Sequence, residues 1–180
     1  IIDSISIEKD KNLSNYLFQY IQNLFTRNNI LPEEIGKIFV SVGPGSFTGL
    51  RLGFAALKAI QTAYNIPVYG IPTLEAIAQD YQWFKGYLLP CLDARRDRFY
   101  VNFYKDSAFI SGPHDYTSDQ IISNLTEDKD ILLVGNGSCL LKEQLLNINP
   151  KLTINCIEKT YHCANTLLNL GENMFLQNLP

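Results

Sequence analysis

Histidine and cysteine are scarce in this chain. Its 180 residues hold two histidines, His114 and His162, and four cysteines, Cys91, Cys139, Cys156 and Cys163. No two cysteines form a C-x-x-C pair, so the ligand spacing of a structural zinc site is missing. Charge is also thin. Charged residues make up 18% against 46% hydrophobic, which excludes the disordered and coiled-coil classes and leaves ample core for one or two small domains. There is no basic excess: 15 Lys and Arg face 18 Asp and Glu, for a net charge of -3 and a pI near 5.3. That argues against an autonomous nucleic-acid binder, which carries a basic footprint. No apolar run approaches the ~20 residues of a membrane span, so no membrane contact is expected. The opening stretch carries Asp3, Glu8 and Asp10 and does not read as a secretory signal. With unpaired thiols, this sets the expectation of a cytoplasmic protein.

What is present alternates strand and helix. Residues 1–7 alternate apolar and polar side chains over their second half and read as a strand. A helix is predicted over 13–29, capped by Asn12 or Ser14. Its main stripe is Leu13, Leu17, Ile21 and Leu24, widened by Tyr16, Phe18, Tyr20 and Phe25. That arc covers roughly half the circumference, more than one core requires. Residues 37–42 form a continuous apolar strand suited to the middle of a sheet. A turn follows at 43–48, then a helix over 49–64 and a strand over 68–71. Thr73 is placed to cap a helix over 74–84. Strands are predicted over 87–93 and 98–104, joined by the charged turn at 93–98. A third strand falls at 109–116 and a fourth at 131–134. Helices are predicted over 118–125, 139–146 and 161–176. The pattern is that of an α/β protein with crossover helices, with a boundary near Gly86 giving lobes 1–86 and 87–180.

The most informative segment is Gly43-Pro44-Gly45-Ser46-Phe47-Thr48-Gly49-Leu50-Arg51. A strand enters it and a helix leaves it; Ser46 or Thr48 can cap that helix, whose free amides can hold an anion. The spacing does not fit a dinucleotide fingerprint, because three residues separate Gly45 from Gly49. It does not fit a P-loop either, because Leu50 and Arg51 follow Gly49. A packed turn and an anion site both remain open.

This segment from Ser41 to Gly53, together with the residues from Gly70 to Ala76, and Leu92, Asp93, Arg95, Arg96 and Tyr100, closely resembles the TsaB (YeaZ) family. The match runs from about Leu13 to Gly137. The resemblance implies an α/β actin-like, Hsp70-like fold with two lobes, each a central mixed sheet flanked by helices. It implies a non-catalytic subunit that dimerises with and activates TsaD. TsaD makes N6-threonylcarbamoyladenosine beside the anticodon of tRNAs reading ANN codons. TsaE joins the assembled complex, and a homodimer can use the same surface. tRNA would be met only through the complex. No cofactor is implied on this chain; ATP and a metal ion are implied on the partner subunits. Family members open with a strand hairpin ahead of the region beginning here at Ile1, and often place His where this chain has Leu13.

The resemblance also bears on chemistry. In TsaD, the segment matching residues 71–77 carries two metal-binding histidines at i and i+4, which share one helix face. Here those positions are Thr73 and Ile77, a poor ligand and a non-ligand. No catalytic residue and no metal ligand is therefore assigned. Neither His114 nor His162 lies in a triad string, and His162 and Cys163 point apart on a helix. Asp93 stands where actin-like folds keep an acidic residue near phosphate, which makes it the candidate nucleotide-proximal residue. Asp97 and the intervening arginines read as a solvated hairpin turn, and Gly135-Asn136-Gly137 as a tight turn. The alternative function is an actin-like ATP-binding phosphotransferase with phosphates at residues 43–48. A third, peptidase, reading lacks a nucleophile–base pair. The candidate partner interface is Tyr16, Leu17, Tyr20, Ile21, Leu24, Leu50, Arg51, Phe54 and Leu57, because a broad uncharged helix face exceeds what one core can hide.

Overall fold

A computed structural model describes residues 2–7, 13–125, 130–158 and 164–176. The described residues form two sheets. The first pairs β1 (Ile38–Ser41) with β2 (Val68–Ile71) in parallel, Ile38 opposite Val68. The second has five strands in the order β5-β4-β3-β6-β7, and it is mixed. β3 (Tyr87–Arg95), β4 (Arg98–Lys105) and β5 (Ala108–Thr117) form an antiparallel meander. β6 (Ile131–Val134) and β7 (Ile154–Ile157) add in parallel on the far side of β3.

Period-2 alternation explains how the larger sheet buries both faces. Tyr87, Leu89 and Cys91 of β3 join Ile131 and Leu133 of β6 in one core, beneath α4 (Ser118–Ser123) and α5 (Ser138–Ile148), which contribute Ile121, Leu141 and Leu145. Leu88, Leu92, Leu132 and Val134 face the other way. There they meet Leu74, Ile77 and Ala78 of α3 (Thr73–Gln79). A sheet covered twice accommodates strands without polar positions, which is why β6 is buried throughout.

The helices do not respect the predicted boundary at Gly86. α3 precedes it yet covers the second sheet. α6 (Ala164–Leu176) follows it yet lies on the first sheet: Gly171 meets the Phe39 ring, Phe175 packs edge-on against Tyr69 at 5.5 Å, and Lys37 Nζ bonds Glu172 at 2.8 Å. Thr166 of α6 also donates to Asp80, just past α3, at 3.2 Å.

Several expectations need correction. Residues 2–7 form no strand. Asp3 instead reaches the end of α1 (Leu13–Asn28), 2.8 Å from Arg27 and 2.8 Å from Asn28 Nδ2, so local charge pairing wins over sheet addition. β1 has one strand neighbour among the described residues and is half-buried along its length, rather than central in its sheet. α3 starts at Thr73, after Pro72, and stops at Gln79; the turns from Ala78 to Phe84 that extend the apolar pattern are not helical. β7 carries too little apolar pattern to have been read in advance. Ser14 falls within α1, whereas Asn12, His162 and Cys163 lie outside the described residues.

Candidate functional site

Between the two sheets lies a cleft of about 890 Å³. The glycine-rich segment forms one wall. Gly43 takes φ +103°, a left-handed conformation that favours glycine, and a Cβ there would sit 3.2 Å from Leu50. Ser46 is the N-cap of α2 (Phe47–Tyr64), its Oγ accepting from Gly49 N at 3.3 Å. The helix therefore starts two residues earlier than predicted. Phe47 is 73% exposed at the cleft mouth and lies under the Arg51 guanidinium, 5.3 Å from its carbon.

The opposite wall comes from the second sheet. Leu92, Asp93, Ala94, Arg95 and Tyr100 line it beside Asn136. The fold thus brings Asp93 to the same cleft as Pro44, Gly45, Ser46, Phe47, Thr48 and Gly49. The Asp93 carboxylate accepts from Arg95 N at 2.6 Å, and its own N–H donates to Asn136 Oδ1 at 3.2 Å. Asp97 leaves the cluster, accepting from Gln144 at 3.2 Å. Arg95, Arg96 and Asp97 are exposed and all have positive φ. The solvated-turn reading fits this geometry. Gly135, at φ +124°, has Cys91 O only 2.2 Å from where a Cβ would stand, so the turn at 135–137 is set by close approach to β3.

Thr73 lines the cleft floor but is 6% exposed, and its Oγ1 lies 2.5 Å from Ser41 Oγ. Its N–H donates to Gly43 O at 2.9 Å. The residue expected to cap α3 instead ties that helix to β1 and the glycine turn. Ile77 is buried in the second core. His114 stacks flat on Tyr116 at 4.4 Å, away from the cleft. Among the described residues, no group of three or more His, Cys, Asp or Glu is placed to hold a metal.

A second surface lies on α1 and α2. Tyr16, Arg51 and Phe54 are exposed; Leu17, Tyr20, Ile21, Leu24, Leu50 and Leu57 are half-buried. Ile21 opens onto a groove of about 770 Å³ between the helices, with Phe18, Phe25, Ile60 and Tyr64. Ile60 and Tyr64 were not singled out from sequence, although their i, i+4 spacing from Ala56 places them on one helix face. No described helix is long and apolar enough to cross a membrane.

Residues 5–124 match the family model described as "TsaD: tRNA N6-adenosine threonylcarbamoyltransferase". A Bacillus subtilis protein, the "tRNA threonylcarbamoyladenosine biosynthesis protein TsaB", is 26% identical over 143 residues, 77% of this chain and 62% of that protein. The chain therefore spans about three fifths of that relative's length. The Buchnera aphidicola protein of the same description is 25% identical over 152 residues, covering 80% of this chain and 72% of its own. Among solved structures, "YeaZ from Pseudomonas aeruginosa" superposes with a TM-score of 0.70 at 17% identity, covering 92% of this chain and 79% of that one. At that identity the likeness establishes the fold.

Proposed function

The chain belongs to the TsaB (YeaZ) family, within the wider family that the threonylcarbamoyltransferase model describes, and from that premise we propose that it is a non-catalytic subunit of N6-threonylcarbamoyladenosine formation in tRNA. It docks onto a TsaD enzyme and activates it for tRNAs reading ANN codons. TsaE joins the assembly, a homodimer uses the same face in the partner's absence, and all of this takes place in the cytoplasm. ATP and metal act on the partner subunits.

The observation that carries this reading is the open aromatic face of α1 and α2. Tyr16, Phe18, Phe54 and Tyr64 are each more than two-fifths exposed, and Phe18 and Tyr64 line an apolar groove between the helices. Such a surface suits a protein partner, with aromatics as anchors. The state of Thr73 and Ile77 supports it. One is committed to Ser41 and the other to the core, so neither offers a metal the ligand that carbamoyl transfer requires.

The cleft favours a second reading, an ATP-binding phosphotransferase, because it places Asp93 opposite the glycine turn. Against it, the Ser46 hydroxyl and the Asp93 carboxylate already serve backbone N–H groups. The deciding experiment mixes the purified chain with its own TsaD and measures complex size and tRNA modification, beside a titration with ATP and magnesium alone. Complex formation with modification only in the mixture supports the subunit. ATP turnover by this chain alone would favour the enzyme.

A further inference from the structure

We propose that Cys139 and Cys156 form a redox-sensitive dithiol that closes to an intramolecular disulfide, stapling the first turn of α5 to strand β7. The two sulfurs lie 3.5 Å apart without being bonded. They belong to different elements, so this proximity is made by the fold and not by chain neighbourhood. Leu141 and Leu145 of α5 are fully buried, and Cys156 stands opposite Leu133 in the β6–β7 register, so the pairing is held from both sides. Shortening the separation to the ~2.05 Å of a disulfide calls for a small side-chain rotation.

The accessibilities set an order of events. Cys139 is exposed, Cys156 is half-buried and Cys91 is wholly buried. A small disulfide such as oxidised glutathione therefore meets Cys139 first. The Cys139 thiolate attacks one sulfur of the reagent and expels one glutathione thiolate, leaving a mixed disulfide. The Cys156 thiolate then attacks the Cys139 sulfur and expels the second. Two protein thiols lose two protons and two electrons, and one small disulfide becomes two thiols. The Cys139 thiol is held above its ordinary range, first by its hydrogen bond with Cys156, then by desolvation and by Glu158. That makes exchange slow without preventing it.

The site sits three residues beyond Asn136, which receives the Asp93 N–H at the cleft. Closure would therefore fix the turn that forms the cleft's second wall.

The test incubates the reduced full chain with excess oxidised glutathione, then alkylates it and maps the product by mass spectrometry. The expected product is two hydrogens lighter, carries no glutathione, and yields a peptide joining positions 139 and 156. It should form equally in a Cys163→Ser chain and raise the melting temperature by roughly 5–10 °C. Cys156→Ser should instead stop at one glutathione on Cys139. The proposal is overturned if glutathione stays on Cys139 in the unmutated chain, if the link joins other cysteines or two chains, or if both thiols remain fully alkylatable after oxidation.

Discussion

Ser41 Oγ and Thr73 Oγ1 lie 2.5 Å apart, joining the end of β1 to the first residue of α3 beneath the glycine turn. One contact fixes three pieces, because Thr73 N also holds Gly43 O. Thr73 is therefore a structural clasp.

Replacing Thr73 by valine keeps the shape and removes the hydroxyl. The expected loss is about 1 kcal/mol of stability, measured by urea denaturation, since a hydrogen bond between a buried and a half-buried hydroxyl contributes about that much net. Complex formation with TsaD should persist in the variant. A loss of binding with unchanged stability would contradict the clasp.

Phe54→Asp and Tyr20→Asp each place a charge on the α1–α2 face. Phe54 is 42% exposed and Tyr20 half-buried, so the far-ultraviolet circular dichroism should stay unchanged, while gel-filtration co-elution with TsaD is lost. Co-elution at the unmutated level would move the interface elsewhere.

Gly171→Val should loosen α6 from the first sheet. A Cβ at Gly171 would meet the Phe39 ring at 2.4 Å, so the helix or the ring must shift, at about 1–3 kcal/mol. Hydrogen exchange should rise in β1 and β2 while β3, β4 and β6 stay protected.

Asp3 makes the N-terminal segment sensitive to acid. Its carboxyl is held below the ordinary value, first by the Asn28 hydrogen bond and further by Ser4 N and Arg27. A depressed carboxyl stabilises above its unfolded pKa and loses that contribution as pH falls through the folded one. The Asp3 contacts with α1 should therefore hold at neutral pH and weaken progressively as pH falls below the unfolded value of about 3.9 and through the lower folded one. The side-chain amide resonances of Asn28 should report this release, and Asp3→Asn should remove the pH step.

Much of the five-stranded sheet was legible because its strands are long and its turns well marked: Tyr87–Arg95, Arg98–Lys105 and Ala108–Thr117 fall close to the predicted strands. The glycine segment was legible as a turn before a helix, and with Asp93 it does line one cleft. Sequence could not show that Thr73 bonds Ser41, because that pairing spans 32 positions and depends on the β1–β2 register. It misread residues 2–7 because alternation alone does not say whether an edge is available, and Asp3 found Arg27 and Asn28 instead. The short β7, with Asn155 and Cys156 among its four residues, carries no strong pattern.

The reciprocal placement of α3 and α6 has a consequence for biosynthesis. The chain leaves the ribosome with β1 and β2 made well before α6, the helix that packs on them, so the two-stranded sheet waits for that cover until residues 164–176 emerge. The second sheet has no such delay on its α3 side, because that helix is already synthesised when β3 emerges. The five-stranded sheet should thus gain its α3 cover before the earlier-made β1–β2 pair gains α6.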